Sequence, residues 1–189
     1  MAIKRTQPES GTYFCTFTCL QWLPLIEVTN FYDHIYQWFS LLINARHQIT
    51  GFVIMPNHVH MLIHVNGSEA KVNKILGNGK RFMAYEIVKR LKAINRIDLL
   101  KILSDNVSPE ELARRKKHRV FEPSSDIKIC YSRKFMVQKL EYMHANPIAG
   151  KWNLALGAAD YLHSSASYYE LNREHLFAKI THWQELAGN

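Results

Sequence analysis

Four residues of this chain have the types and spacing for chemistry. Two are His58 and His60 in the stretch Met55-Pro56-Asn57-His58-Val59-His60-Met61-Leu62-Ile63. The others are Tyr142 and Asn146 in Tyr142-Met143-His144-Ala145-Asn146-Pro147. Residues i and i+2 of a β-strand point to the same face, so His58 and His60 can present two imidazoles together while Val59 and Met61 point into a core. Two ring nitrogens can hold a borderline divalent ion, whereas Mg²⁺ or Mn²⁺ would also want oxygen ligands, so a third ligand must come from elsewhere. Spacing alone leaves both readings open, metal ligation and an ordinary strand surface. His64 continues the same face and is expected to meet solvent. Residues i and i+4 of a helix are neighbours, so Tyr142 and Asn146 can meet one site together. A tyrosine needs a cation or a positive environment to attack at neutral pH, and its product with a phosphodiester is a phosphotyrosine linkage.

These residues need a strand pair and a helix to position them. Thr12 to Leu20 is β-branched and aromatic and reads as a first strand. Asn30 is placed to cap a helix over Phe31 to Asn44, and Ile49 to Met55 with His58 to Val65 forms a hairpin around Pro56-Asn57. A basic amphipathic helix is expected from Glu69 to Asn95, interrupted near Gly77-Asn78-Gly79 because each glycine costs about 1 kcal/mol in a helix interior. Residues 97–119 form a basic insertion in which Ser108-Pro109 starts a helix. Ile127 to Cys130 reads as a last strand. Ser132 caps a helix over Arg133 to Asn146 that Pro147 ends, with Met136, Leu140 and Met143 as its buried stripe. Residues 151–189 form a C-terminal extension, with Ser164-Ser165 in a loop and a late helix over Arg173 to Leu186. The order β-α-β-β-α-β followed by a helix predicts an α+β chain of one domain: a ferredoxin-like, split β-α-β antiparallel sheet, helices on one face, then the tyrosine-bearing helix.

The 189 residues are 47% apolar, enough for a core, and carry a net charge of +8. The cations gather in blocks: Lys71, Lys74, Lys80, Arg81, Lys89 and Arg90 on the basic helix, and Arg114, Arg115, Lys116 and Lys117 in the insertion. Such blocks favour a polyanionic partner, and phosphate backbone contacts are the proposed use of these side chains. A solubilising surface is the other reading. Lys139, one turn before Tyr142, is placed to favour a phenolate or contact phosphate, and Tyr85 and Trp152 are candidate base-stacking rings. Cys15, Cys19 and Cys130 are too few and too irregularly spaced for a disulfide framework or a zinc site, so reduced thiols and a cytoplasmic location are expected. No run approaches eighteen apolar residues, and no membrane span is expected.

Taken together, Met55-Pro56-Asn57-His58-Val59-His60 and Tyr142-Met143-His144-Ala145-Asn146-Pro147, followed by Gly150, resemble the single-tyrosine transposases marked by histidine-hydrophobic-histidine. The chain looks most like the REP-associated tyrosine transposases. The segment Asp160 to Ala166 through Tyr168 is similar to that family's closing segment, and the resemblance spans residues 10 to 170 or so. It implies the ferredoxin-like fold already argued, His58, His60 and Asn146 as ligands of Mg²⁺ or Mn²⁺, and Tyr142 as the nucleophile. The implied partner is single-stranded DNA with hairpin or palindromic elements, cut to a 5′-phosphotyrosine and a free 3′-hydroxyl. The resemblance leaves homodimer and monomer both open. A relaxase or replication-initiator-like nickase shares this chemistry, and a non-catalytic nucleic-acid-binding protein shares the charge. The chain departs from the family pattern at Val120 to Ser125, where Phe121 stands in place of a tryptophan-centred motif.

Overall fold

The computed structural model describes residues 10–66, 69–150 and 152–186. In chain order the elements are β1 (Ser10–Thr18), α1 (Leu25–Val28), α2 (Tyr32–Asn44), β2 (Gln48–Ile54), β3 (His58–Asn66), α3 (Glu69–Ala93), α4 (Ile97–Asp105), α5 (Pro109–Ala113), β4 (Asp126–Ile129), α6 (Arg133–Ala145) and α7 (Ala166–Leu171). The four strands form one sheet in the order β2-β3-β1-β4, and every neighbouring pair is antiparallel. β3 lies between β1 and β2, which gives the split β-α-β, ferredoxin-like topology that the element order predicts.

Alternation along the strands gives the sheet two unlike faces. Tyr13, Cys15 and Phe17 sit opposite Ile63, Met61 and Val59 in register, and with Val65, Phe52 and Ile54 they pack against α2 and α3. That core includes Ile35 and Phe39 of α2 and Val72, Leu76, Met83, Ile87 and Leu91 of α3. The other face carries Phe14, Val53, Met55 and Leu62, and there Met136, Leu140 and Met143 of α6 form a second core. Gly51 lets α6 come close, because a Cβ at that position would lie inside the Leu140 side chain. Ser132 caps α6 as expected, its hydroxyl accepting from Phe135 N at 3.2 Å.

Several sequence expectations are corrected. α3 runs unbroken for 25 residues through Gly77-Asn78-Gly79. Its buried stripe continues across the glycines, and a Cβ on Gly79 would come within 2.8 Å of the Trp38 indole, so that glycine is where α2 and α3 meet. Packing of the apolar face outweighs the propensity cost. Asn30 does not cap α2: it sits at φ 46°, and Phe31 takes the cap position without a side-chain hydrogen bond. Only a 3₁₀ turn, Trp183–Glu185, stands where a late helix over Arg173 to Leu186 is expected. Asn172, at φ 52°, ends α7, and the following chain turns back to the β2 edge, where Thr181 N donates to Ile49 O at 2.8 Å. Ser164 and Ser165 are buried at the same edge: Ser165 N donates to Phe52 O, and Ile54 N donates to His163 O. Covering an exposed strand edge wins over local helix propensity. In the insertion, α5 starts with the capping box of Ser108 and Glu111. Among the described residues no helix is long and apolar enough to cross a membrane.

Candidate active site on the tyrosine-helix face

His58 and His60 point to the α6 face and are buried, at 3% and 5% exposure. Their rings lie 4.7 Å apart between centroids. Each is tied to its own neighbour through Nδ1. Asn57 Nδ2 donates to Trp22 O at 2.9 Å, which leaves Asn57 Oδ1 to accept from His58 Nδ1 at 2.7 Å. That acceptor places the proton on Nδ1 and the lone pair on Nε2. His60 Nδ1 is hydrogen-bonded to Thr16 Oγ1 at 2.7 Å, across the β1–β3 register that sets these two residues side by side. In both rings Nε2 is therefore the nitrogen left uncommitted to the sheet. Burial pushes His58 down to about 4. Burial, with His58 and Lys139 as neighbours, pushes His60 down to about 3. Both imidazoles are neutral at pH 7, the state a metal ligand requires.

The tyrosine helix passes over this pair. The Tyr142 ring lies 5.4 Å from the His60 ring and edge-on to Phe14 at 6.2 Å, while Phe14 itself stacks on His60 at 5.4 Å. Tyr142 is 53% exposed, so a large partner can reach it. Asn146 donates from Nδ2 to Tyr142 O at 2.8 Å, and its amide is the neighbour that raises the His58 pKa against burial. Lys139 Nζ stands over the rings of Phe14, Phe135 and Tyr142, 5.0 to 5.5 Å from their centroids. Five side chains from two segments distant in sequence thus share one patch: His58, His60, Lys139, Tyr142 and Asn146.

The donor set fits a divalent cation of the Mg²⁺ or Mn²⁺ type in kind: two neutral imidazoles held through Nδ1 and an amide oxygen. Among the described residues no three His, Cys, Asp or Glu side chains gather into a cluster, and the Asn146 amide is the neighbouring side chain that could add an oxygen to the two imidazoles. The three cysteines are free and buried, and burial pushes Cys19 up to about 12 and Cys130 up to about 11, which leaves them inert.

Other sequence candidates lie elsewhere. His64 is buried, not solvent-facing, and bonds Thr12 Oγ1 through Nδ1 at 3.0 Å. His144 points away from the patch, with Nε2 on Ser165 Oγ at 2.8 Å. The cations of α3 project from the opposite face of the sheet. Two of them have several partners within the chain. Lys80 Nζ donates to the carbonyls of Glu122, Pro123 and Ser124 and to Ser125 Oγ, pinning that loop to α3. Arg90 bonds Asp33 through both terminal nitrogens, Glu86 through Nε, and the carbonyls of Thr29 and Asn30. Lys71 donates to Asn66 O, while Lys89 and Lys116 pair with Glu86 and Glu111. Lys74, Arg81, Arg114, Arg115 and Lys117 are exposed. Tyr85 is 69% exposed on α3, Trp152 is half-buried beside His58 at 6.4 Å, and Phe121 belongs to the core, edge-on to Phe17.

Thr16 and Asn57 position the histidines, yet neither stands out in the sequence. Thr16 becomes relevant only through cross-strand register. Asn57 had a signal, its place directly before His58, that a turn explains equally well.

Compared with known proteins, the chain matches no family model and no curated relative. A solved structure described as a REP-associated tyrosine transposase bound to a REP hairpin superposes with a TM-score of 0.54 at 13% identity, covering 97% of this chain and 94% of that one. This chain has the fold of that transposase. A candidate transposase from Deinococcus radiodurans aligns over 75% of this chain and 95% of its own, at 17% identity and a TM-score of 0.40.

Proposed function

We propose that this chain is a metal-dependent single-stranded DNA endonuclease and strand transferase, a transposase acting on hairpin-bearing DNA through a 5′-phosphotyrosine intermediate. The observation that carries this reading is the Tyr142 ring 5.4 Å from His60, on the one sheet face where His58, Lys139 and Asn146 also lie. The fold shared with the hairpin-bound transposase supports it.

His58, His60 and Asn146 would hold Mg²⁺ or Mn²⁺, which when bound supplies charge neutralisation at the scissile phosphate. Tyr142 Oη attacks phosphorus in line as the P–O3′ bond breaks; the phenolic proton passes to solvent, and the departing 3′-oxygen takes a proton from water. Lys139, its ammonium over the Tyr142 ring, lies where it contacts a phosphate oxygen. Thr16 and Asn57 hold the imidazoles in one orientation through their Nδ1 atoms. One phosphodiester replaces another, so the linkage can be passed to a second 3′-hydroxyl without an external energy source. The exposed cations of α3 and of Arg114 to Lys117 are proposed backbone contacts for flanking DNA.

Incubation with hairpin-bearing single-stranded DNA and Mn²⁺ tests the assignment on a denaturing gel. The parent forms a covalent adduct that chelator abolishes, and Tyr142→Phe and the double variant His58→Ala with His60→Ala do not. An adduct that persists in Tyr142→Phe refutes the nucleophile. Transfer to a second 3′-hydroxyl separates a transposase from a nickase.

A further inference from the structure

Beside the histidines the backbone adopts a conformation that residues with side chains avoid. Gln21 and Trp22 follow one another at φ 51° and 58°, both in the left-handed region where glycine or asparagine is the usual occupant. Ties from several segments fix this turn. Gln21 N donates to Glu122 Oε1 at 2.8 Å and Gln21 Nε2 to Asn106 Oδ1 at 3.1 Å. Trp22 N donates to Cys19 O at 3.1 Å, and Trp22 O accepts from Asn57 Nδ2 at 2.9 Å. The product of this strain is a tryptophan left 59% exposed, its indole edge-on to the His58 ring at 5.4 Å. Packing does not account for it, since a strained turn that served folding alone would carry a small residue or bury the ring. Strain held at a reactive patch points to a ligand.

We infer that Trp22 is the platform of a nucleobase subsite, on which one unpaired DNA base stacks beside the reacting phosphate. This rests on the endonuclease reading for its placement. Trp22 touches His58 whereas Tyr142 touches His60, so the stacked base belongs to the nucleotide on the side away from the tyrosine. In the in-line displacement above, that side carries the leaving 3′-oxygen. The base immediately 5′ of the cut must therefore be unpaired, because a base inside a duplex already has both faces stacked. After cleavage Trp22 retains the 3′-hydroxyl strand for rejoining.

Fluorescence anisotropy of the full chain tests this with two probes: a blunt DNA hairpin, and the same hairpin with unpaired thymidines on both sides. Trp22→Ala weakens binding of the tailed probe roughly 5- to 150-fold, the span of one base–aromatic stack, and leaves the blunt hairpin unchanged. Trp22→Phe recovers most of the loss. Trp22→Gly binds the tailed probe as poorly as Trp22→Ala but melts no lower than the parent, because glycine relieves the left-handed strain. Parent-like binding of the tailed probe by Trp22→Ala, equal loss on both probes, or a lower melting point for Trp22→Gly overturns the subsite. If no DNA becomes covalently attached while tailed binding still depends on Trp22, cleavage fails and the subsite stands. If Trp22→Ala forms and rejoins the tyrosine adduct at parent rates, cleavage stands and the subsite falls.

Discussion

Replacing Thr16 by valine removes the hydroxyl bonded to His60 Nδ1 at 2.7 Å and keeps the side-chain shape. His60 is 5% exposed, so Nδ1 then faces a methyl group in place of its partner. A buried polar group left unpaired costs about 1–3 kcal/mol, and the urea midpoint of the metal-free protein should fall accordingly. Phe14 still stacks on the ring, but Nδ1 no longer has a partner that holds the ring's orientation with Nε2 toward the patch. Loss of such a supporting bond lowers metal affinity about 10- to 100-fold. The Mn²⁺ concentration that half-saturates adduct formation should rise by that factor, with the saturated rate largely recovered. Thr16→Ser, which restores the hydroxyl, should behave as the parent in both assays. Parent-like Mn²⁺ dependence and stability in Thr16→Val would refute the argument that cross-strand bonding prepares His60 as a ligand.

Ser165→Ala strips hydrogen bonds from Phe52 N and His144 Nε2 at a fully buried position, and should destabilise by about 1–3 kcal/mol in urea unfolding. Lys80→Met should lower stability by freeing the 122–125 loop while leaving the salt dependence of DNA binding unchanged. Lys74→Ala or Arg115→Ala should reduce that salt slope by about 1 with little effect on stability. Burial against Tyr32, Tyr36 and Tyr161, and then the charge of the neighbouring His175, push His163 from 6.5 down to about 4. A histidine depressed in the folded state contributes stability that is complete above pH 6.5 and lost as pH falls toward 4. The urea midpoint should therefore be level from pH 7 to 8 and decline below about 6.5, less steeply in His163→Gln.

The reactive residue types, their local elements and the sheet topology were all legible in the chain itself. Period-two alternation from His58 to Ile63 puts the histidines on one strand face, Ser132 starts the tyrosine helix where a capping serine should, and the element order leads to the split β-α-β sheet. These are local properties, set by backbone geometry over a few residues, and need no partner to express themselves. Tertiary structure decided which distant residues meet. No spacing rule shows that Thr16 lies beside His60, that α6 crosses the histidine face through the gap at Gly51, or that Lys80 and Arg90 find partners on other segments of the chain. Tertiary packing also overruled local propensity, carrying α3 through its glycines and drawing residues 173–186 along the β2 edge. Burial, register and hydrogen-bond satisfaction are settled between segments, so only the folded chain could bring a phenol and two neutral imidazoles to one patch.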